Sequence, residues 1–207
     1  MIITFYGEGC FKIQSGETAV LTDPLEATSG LTPPRFKTDI VLKTISPAKN
    51  QKTSAGQIIG AGEYNVSGIN IIGFPLPEES SDKILKTVYI VETEEVRLCF
   101  LGHLAETLNP VAIEHLGEVD ILFIPAGGQP FIDQKNAVKL IKQIEPKIVV
   151  PSFFKAPGLK RKSDEVKNFL EEFNFKKEKS AATQDKLTIK KKDLENIKSA
   201  QIIVLNI

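Results

Sequence analysis

The sequence predicts a layered α/β fold, on three observations. The runs DIVLKTI (39–45), VDILFIP (119–125) and KIVVPS (147–152) are short and near-continuously apolar, as in strands covered on both faces. Helical spacing appears between the later runs, with Val138, Ile141 and Ile144 following Asp133. Strands and helices interleave without a fixed repeat or a long Gly/Ser- or Pro-rich linker, which predicts one domain over residues 1–207.

The elements follow in order. ITFYG (3–7) and CFKIQSG (10–16) read as strands, and TAVLTDP (18–24) as a third, with Gly16 at a turn and Pro24 closing the run. After the 39–45 strand, GAGEYNVSGINIIGFP (60–75) reads as a hairpin turning at Ser67-Gly68. Residues 86–102 read as two strands about a polar turn at Thr93 to Glu95. Pro110 to Leu116 is a short helix, and Asp133 is placed to cap a helix over Gln134 to Ile144. Ser163 with Asp164 is read as the cap of a helix reaching about Phe173, with Val166, Phe169, Leu170 and Phe173 on its apolar face. KLTIKK (186–191) and AQIIVLNI (200–207) are late strands, and residues 26–37 and 77–83 are surface loops.

Composition narrows the function classes. The chain has 207 residues, 42% hydrophobic and 25% charged, which excludes global disorder. Its longest apolar runs, such as 121–126, fall far short of the ~20 residues that span a bilayer. The opening MIITFYGEG has neither a basic start nor a long apolar stretch, so no secretory signal and no membrane attachment are expected. Lys+Arg and Asp+Glu are both 26, and this balance argues against nucleic acid as a partner. Between Lys155 and Lys192 there are twelve Lys/Arg against six Asp/Glu, which reads as a solvated surface or as a basic face for an acidic ligand. Cys10 and Cys99 sit in apolar strand-like runs with no metal-binding spacing, and two scattered cysteines point to a reducing, cytoplasmic location.

The order of punctuation carries more information than any one element. ITFYGEGCFKI runs into VLTDP, then DIVLKT, GEYNVSGINIIGFP, RLCFLG, DILFIPAGG and EPKIVVPSFF. That succession, over about residues 1–154, resembles the metallo-β-lactamase superfamily, in particular its small branch of ascorbate-phosphate lactonase-like proteins. The resemblance implies a four-layer αββα sandwich with metals at one edge, held by His and Asp from loops at strand ends. Its main ligand motif, T-H-x-H-x-D-H, supplies imidazoles and a carboxylate suited to zinc, and two such metals activate a bridging water.

Here that motif reads Thr44-Ile45-Ser46-Pro47-Ala48-Lys49-Asn50. Ile45 and Pro47 stand at two histidine slots, Lys49 at the aspartate and Asn50 at the last histidine. No histidine follows the GFP run, His103 aligns with the bridging aspartate, and Phe153 aligns with the final histidine. Apolar side chains offer no ligand and an ammonium repels a cation. The scaffold survives: Asp23 in TDP, Gly62-Glu63 in the hairpin, and Pro125, Gly127 and Gly128 in the P-x-G-G turn match the family.

Other motifs are thin. His103 is read as a hydrogen-bonded loop histidine, as a base, or as a metal ligand with at most Asp23 and Asp133 as companions; His115 is a surface residue. Cys99 near His103 would need an accessible thiol to act as a nucleophile. No G-x-S-x-G, G-x-G-x-x-G or phosphate-loop motif occurs. The expectation is therefore a degenerate superfamily member, a pseudoenzyme without cofactor or catalytic residues, whose former metal edge is Ile45, Pro47, Lys49, Asn50, His103 and Phe153. It would bind a small ligand or a protein partner, or assemble with its own copies. The alternative is a hydrolase acting on a phosphoester or lactone, with zinc or with a site rebuilt from His103, Asp23 and Asp133 or Glu63. Phe153 is expected to be buried against Ile45 or Pro47 as an apolar plug.

Overall fold

The structure, a computed structural model, describes residues 1–49, 54–173 and 182–207. Two sheets form the body of the molecule. The first runs, in spatial order, β14 (Lys186–Thr188), β1 (Ile2–Phe5), β2 (Phe11–Ser15), β3 (Thr18–Thr22), β4 (Ile40–Lys43) and β6 (Gln57–Ile59). The second runs β13 (Ala182–Gln184), β15 (Gln201–Leu205), β12 (Ile148–Ser152), β11 (Ile121–Pro125), β10 (Val96–Phe100), β9 (Ile84–Thr93), β8 (Ile69–Pro75) and β7 (Gly62–Val66), with β5 (Ile45–Pro47) also paired to β9. Pairing is mixed: β3–β4 and β10–β11–β12 are parallel, whereas β8–β9–β10 is antiparallel.

The sheets meet through large apolar side chains. Phe5 and Phe11 from the first stack at 4.7 Å, and Phe11 meets Phe123 of the second edge-on at 4.7 Å. Every residue of β11 and β12 is buried, which explains why their sequences are continuous apolar runs rather than alternating ones. Helix α2 (Gln134–Ile144) covers that sheet with Ala137, Val138, Leu140, Ile141 and Ile144. The Asp133 side chain accepts from the Asn136 N–H at 2.8 Å, so the cap is where the sequence puts it. Helix α1 (Pro110–Leu116) is capped in the same way by Asn109. Among the described residues no helix is long and apolar enough to cross a membrane.

Both predicted hairpin turns form with left-handed pairs, Ser67-Gly68 and Glu94-Glu95, whose positive φ angles suit two-residue hairpins. Three departures from the sequence reading matter. Helix α3 (Val166–Glu172) starts from Glu165 with no side-chain cap; Asp164 instead accepts from Gln134 at 2.8 Å, and the buried Ser163 hydroxyl has no partner. The short β5, β6, β13 and α4 (Lys191–Leu194) were not foreseen. Above all, the 39–45 run is not one strand. It leaves the first sheet at Thr44 and joins the second as β5, because the Thr44 N–H goes to the Asp23 carboxylate (2.7 Å) while its carbonyl accepts from Thr87 N–H on β9 (2.9 Å).

Candidate functional site

The site lies where parallel strands of both sheets end, the usual place for a cleft in such sheets. Asp23 follows β3, Thr44 follows β4, Gly102 and His103 follow β10, and Phe153 follows β12. Gly102 is required here: it has a φ of +53°, and a Cβ on it would lie 2.1 Å from the Thr44 hydroxyl. The missing side chain lets Thr44 come alongside His103.

A hydrogen-bonded chain results. The Thr44 hydroxyl donates to Asp23 Oδ2 at 2.6 Å and lies 2.7 Å from His103 Nδ1. Nδ1 and Oδ2 are 3.7 Å apart, too far for a direct bond, so Thr44 is the link. A hydroxyl has one proton; given to the carboxylate, it leaves the oxygen to accept from Nδ1–H. With the Asp23 carboxylate ionised, this network assigns the neutral imidazole its proton on Nδ1 and its lone pair on Nε2. Burial pushes the His103 pKa below its ordinary value, with the Asp23 charge resisting and Lys86 reinforcing the shift. Burial pushes the Asp23 pKa up, and His103, Thr44 and Lys43 oppose this. Both directions favour a neutral histidine bonded through a hydroxyl over a direct ion pair.

Aromatic rings form the floor. Phe153 is 3% exposed. Its ring lies 4.9 Å from the His103 ring and 4.3 Å from that of Phe131. Gly9 makes room for it, since a Cβ there would sit 2.6 Å from Phe153 Cζ. Arg161 clamps the edge: it bonds Glu8 through Nε and Nη2 (3.1 and 2.8 Å), bonds the Phe153 carbonyl at 2.6 Å, and lies over the Phe131 ring at 4.9 Å. Above this floor opens a cavity of about 730 Å³, bordered by Asp23, Ile45, Lys43, Lys86, His103 and Arg161 among others. Lys86 is anchored by Glu79 at 2.8 Å.

A model of the beta-lactamase superfamily domain matches residues 2–152. This chain belongs to the metallo-β-lactamase superfamily. A Thermotoga maritima protein, described as a Zn-dependent hydrolase of that superfamily, has a solved structure that superposes with a TM-score of 0.78 at 25% identity, covering 99% of this chain and 97% of the other. A metallo hydrolase from Ignicoccus hospitalis KIN4/I superposes at 0.67 and 16% identity, over 99% and 94% of the two chains, which shows shared fold. A UPF0173 protein of Pyrococcus abyssi is 25% identical over 190 residues, 76% of this chain and 85% of its own length. The α/β sandwich predicted from sequence is the fold of these superfamily members.

The superfamily implies zinc, and the residues here do not fit it. Phe153 presents a ring, Ile45 is aliphatic, and the Asp23 oxygens are taken by the N–H and hydroxyl of Thr44. Among the described residues no three His, Cys, Asp or Glu side chains converge as a metal site would need. Of the former-edge residues, Ile45, His103 and Phe153 border the cavity; Pro47 is exposed on β5 and Lys49 is exposed, and neither borders it. Asn50 lies outside the described residues. The proposed companions are elsewhere: Asp133 caps α2, and Glu63 is exposed on β7. Cys99 is fully buried in β10, which pushes its thiol pKa upward, and it does not border the cavity; Cys10 is pushed to about 12. Phe153 is buried as expected, and the plug is corrected in its extent. Phe153 packs on Phe131 and His103, and an open cavity remains above it. Thr44, Lys86, Phe131 and Arg161 were missed as site residues. Thr44 stood in the quoted motif, but its hydroxyl acquires a role only when two sheets bring Asp23 and His103 to it.

Proposed function

We propose that this superfamily member has given up dinuclear metal chemistry and binds a small molecule directly in the cleft. The observation that carries this reading is the coexistence of Phe153 and Ile45 at expected ligand slots with an open cavity of about 730 Å³ beside them. That volume falls within the usual range for small-molecule sites, and the wall mixes apolar rings with a few charged groups. A cleft of this kind favours a small ligand over a protein partner or self-assembly. Elemental analysis and zinc titration test the reading. The purified protein should carry no stoichiometric zinc, manganese or iron, and added zinc should leave its Tm unchanged. A native-state ligand at a hundredfold excess over its Kd would stabilise by about 2.7 kcal/mol, so a zinc-dependent rise that requires His103 would overturn it.

A further inference from the structure

We propose that His103 is a metal-independent general base in this cleft, held by Thr44 and Asp23 as positioning residues, and that it directs water onto open-chain carboxylic esters. The inference rests on the metal-free reading of the same cleft and adds chemistry to it. Three observations converge. The hydroxyl of Thr44 fixes the Nδ1–H tautomer, so Nε2 holds the lone pair. Among the described residues Nε2 has no hydrogen-bond partner, and it belongs to a side chain that borders the cavity and is 22% exposed. Lys86 borders the same cavity, and among the described residues its ammonium bonds only Glu79, which leaves donor capacity for developing charge.

The step balances without a metal. Water gives a proton to Nε2 as its oxygen bonds the acyl carbon. The carbonyl electron pair moves onto the carbonyl oxygen, beside the Lys86 ammonium. Collapse breaks the bond from acyl carbon to alkoxy oxygen, and the departing alkoxide takes the proton back from Nε2. The products are a carboxylic acid and an alcohol; nothing is oxidised, and water is the co-reactant. A carboxylic ester suits the site because its tetrahedral intermediate gathers one negative charge on a single oxygen, which the Lys86 ammonium can meet. The rings of Phe131 and Phe153 provide an apolar bed for the acyl or alcohol portion.

The test uses p-nitrophenyl acetate and EDTA-dialysed protein. Cleavage should persist after EDTA. His103→Gln should lower the rate about 100-fold, the lower end of what a positioned base contributes. His115→Gln, on the exposed face of α1, should leave it unchanged. Thr44→Val should lose most of the rate and Thr44→Ser should restore it. The rate should rise with pH through an apparent pKa below the usual histidine value. The charges bearing on His103 are Asp23, Lys86, Glu8 and Arg161; removing the carboxylate in Asp23→Asn should move that limb to lower pH. Nitrogen-15 spectra of the wild-type imidazole give a readout that needs no variant: Nε2 should be unprotonated at neutral pH. A protonated Nε2, or equal rates for wild type and His103→Gln, overturns the base while leaving metal-free ligand binding in place. Activity abolished by EDTA and restored by zinc overturns both.

Discussion

Two carboxylates, Asp120 and Asp23, sit at opposite ends of the strand layers and are treated in opposite ways. Asp120 precedes β11. Its oxygens accept from Lys147 at 2.7 Å, Lys191 at 3.0 Å and the Arg97 N–H at 3.0 Å. Burial works against its charge, but the bonds from Lys147, the Arg97 N–H and Lys191 outweigh it and hold its pKa below the usual value. Asp23 receives only the amide and hydroxyl of Thr44, and burial outweighs them. The fold thus bonds two lysines directly to the carboxylate that ties elements together, and among the described residues bonds none to the one that faces the cleft. A buried acid left short of counter-charge marks a working site more often than a structural one.

The largest expected effect tests what keeps the Asp23 end dry. Phe153→Ala should cost about 3–5 kcal/mol in chemical denaturation, because a buried ring packed on two others is removed. It should also raise the His103 pKa toward its ordinary value, since burial is the leading cause of its depression. A loss below about 1 kcal/mol, the cost of an ordinary substitution, would mean the ring does not hold the site.

At the other end, Asp120→Ala should cost about 1–3 kcal/mol, the range for deleting a buried acceptor of charged donors. It stays short of a fully buried pair because Lys147 and Lys191 are about a third exposed and can turn to water. The pH dependence sharpens the contrast. Asp120 has a folded pKa below its unfolded one, so its contribution is present above the unfolded value of about 3.9 and is lost as pH falls through the lower folded value. Asp120→Asn should flatten that acid limb of the stability curve. Asp23 has the opposite sign: its folded pKa is raised, so its contribution is present at low pH and lost as pH rises through the folded value. Asp23→Asn should therefore be neutral or stabilising by up to about 1 kcal/mol at neutral pH, as is common when a functional group is removed. A loss comparable to that of Asp120→Ala would show that both carboxylates are structural.

Much of this organisation was legible in sequence, for identifiable reasons. Periodicity and a cap located α2 because Asp133 and the apolar stripe act locally. The order of strand motifs revealed the fold because each punctuating Gly or Pro serves a turn. Three-residue strands such as β5 and β13 carry too little pattern to be read, and the Ser163-Asp164 cap failed because Asp164 is drawn to Gln134, a partner 30 residues away. The site was half legible. The replaced ligand positions, His103 among them, and the surviving Asp23 were visible, but Phe131 and Arg161 join them only through loop packing. Part of the basic stretch after Lys155 is paired: Arg161 with Glu8, Lys155 with Glu165 and Lys191 with Asp120.

Thr44 carries one more consequence. Its amide hydrogen is given to the residue that ends a strand of one sheet, and its carbonyl receives the amide of Thr87 in the other. The residue that sets the imidazole proton is also the clasp between the two layers. Parting the layers at this end and releasing the imidazole are therefore a single mechanical event, and the amides of Thr44 and Thr87 should exchange with solvent together, at the pace of sandwich opening rather than of loop fraying.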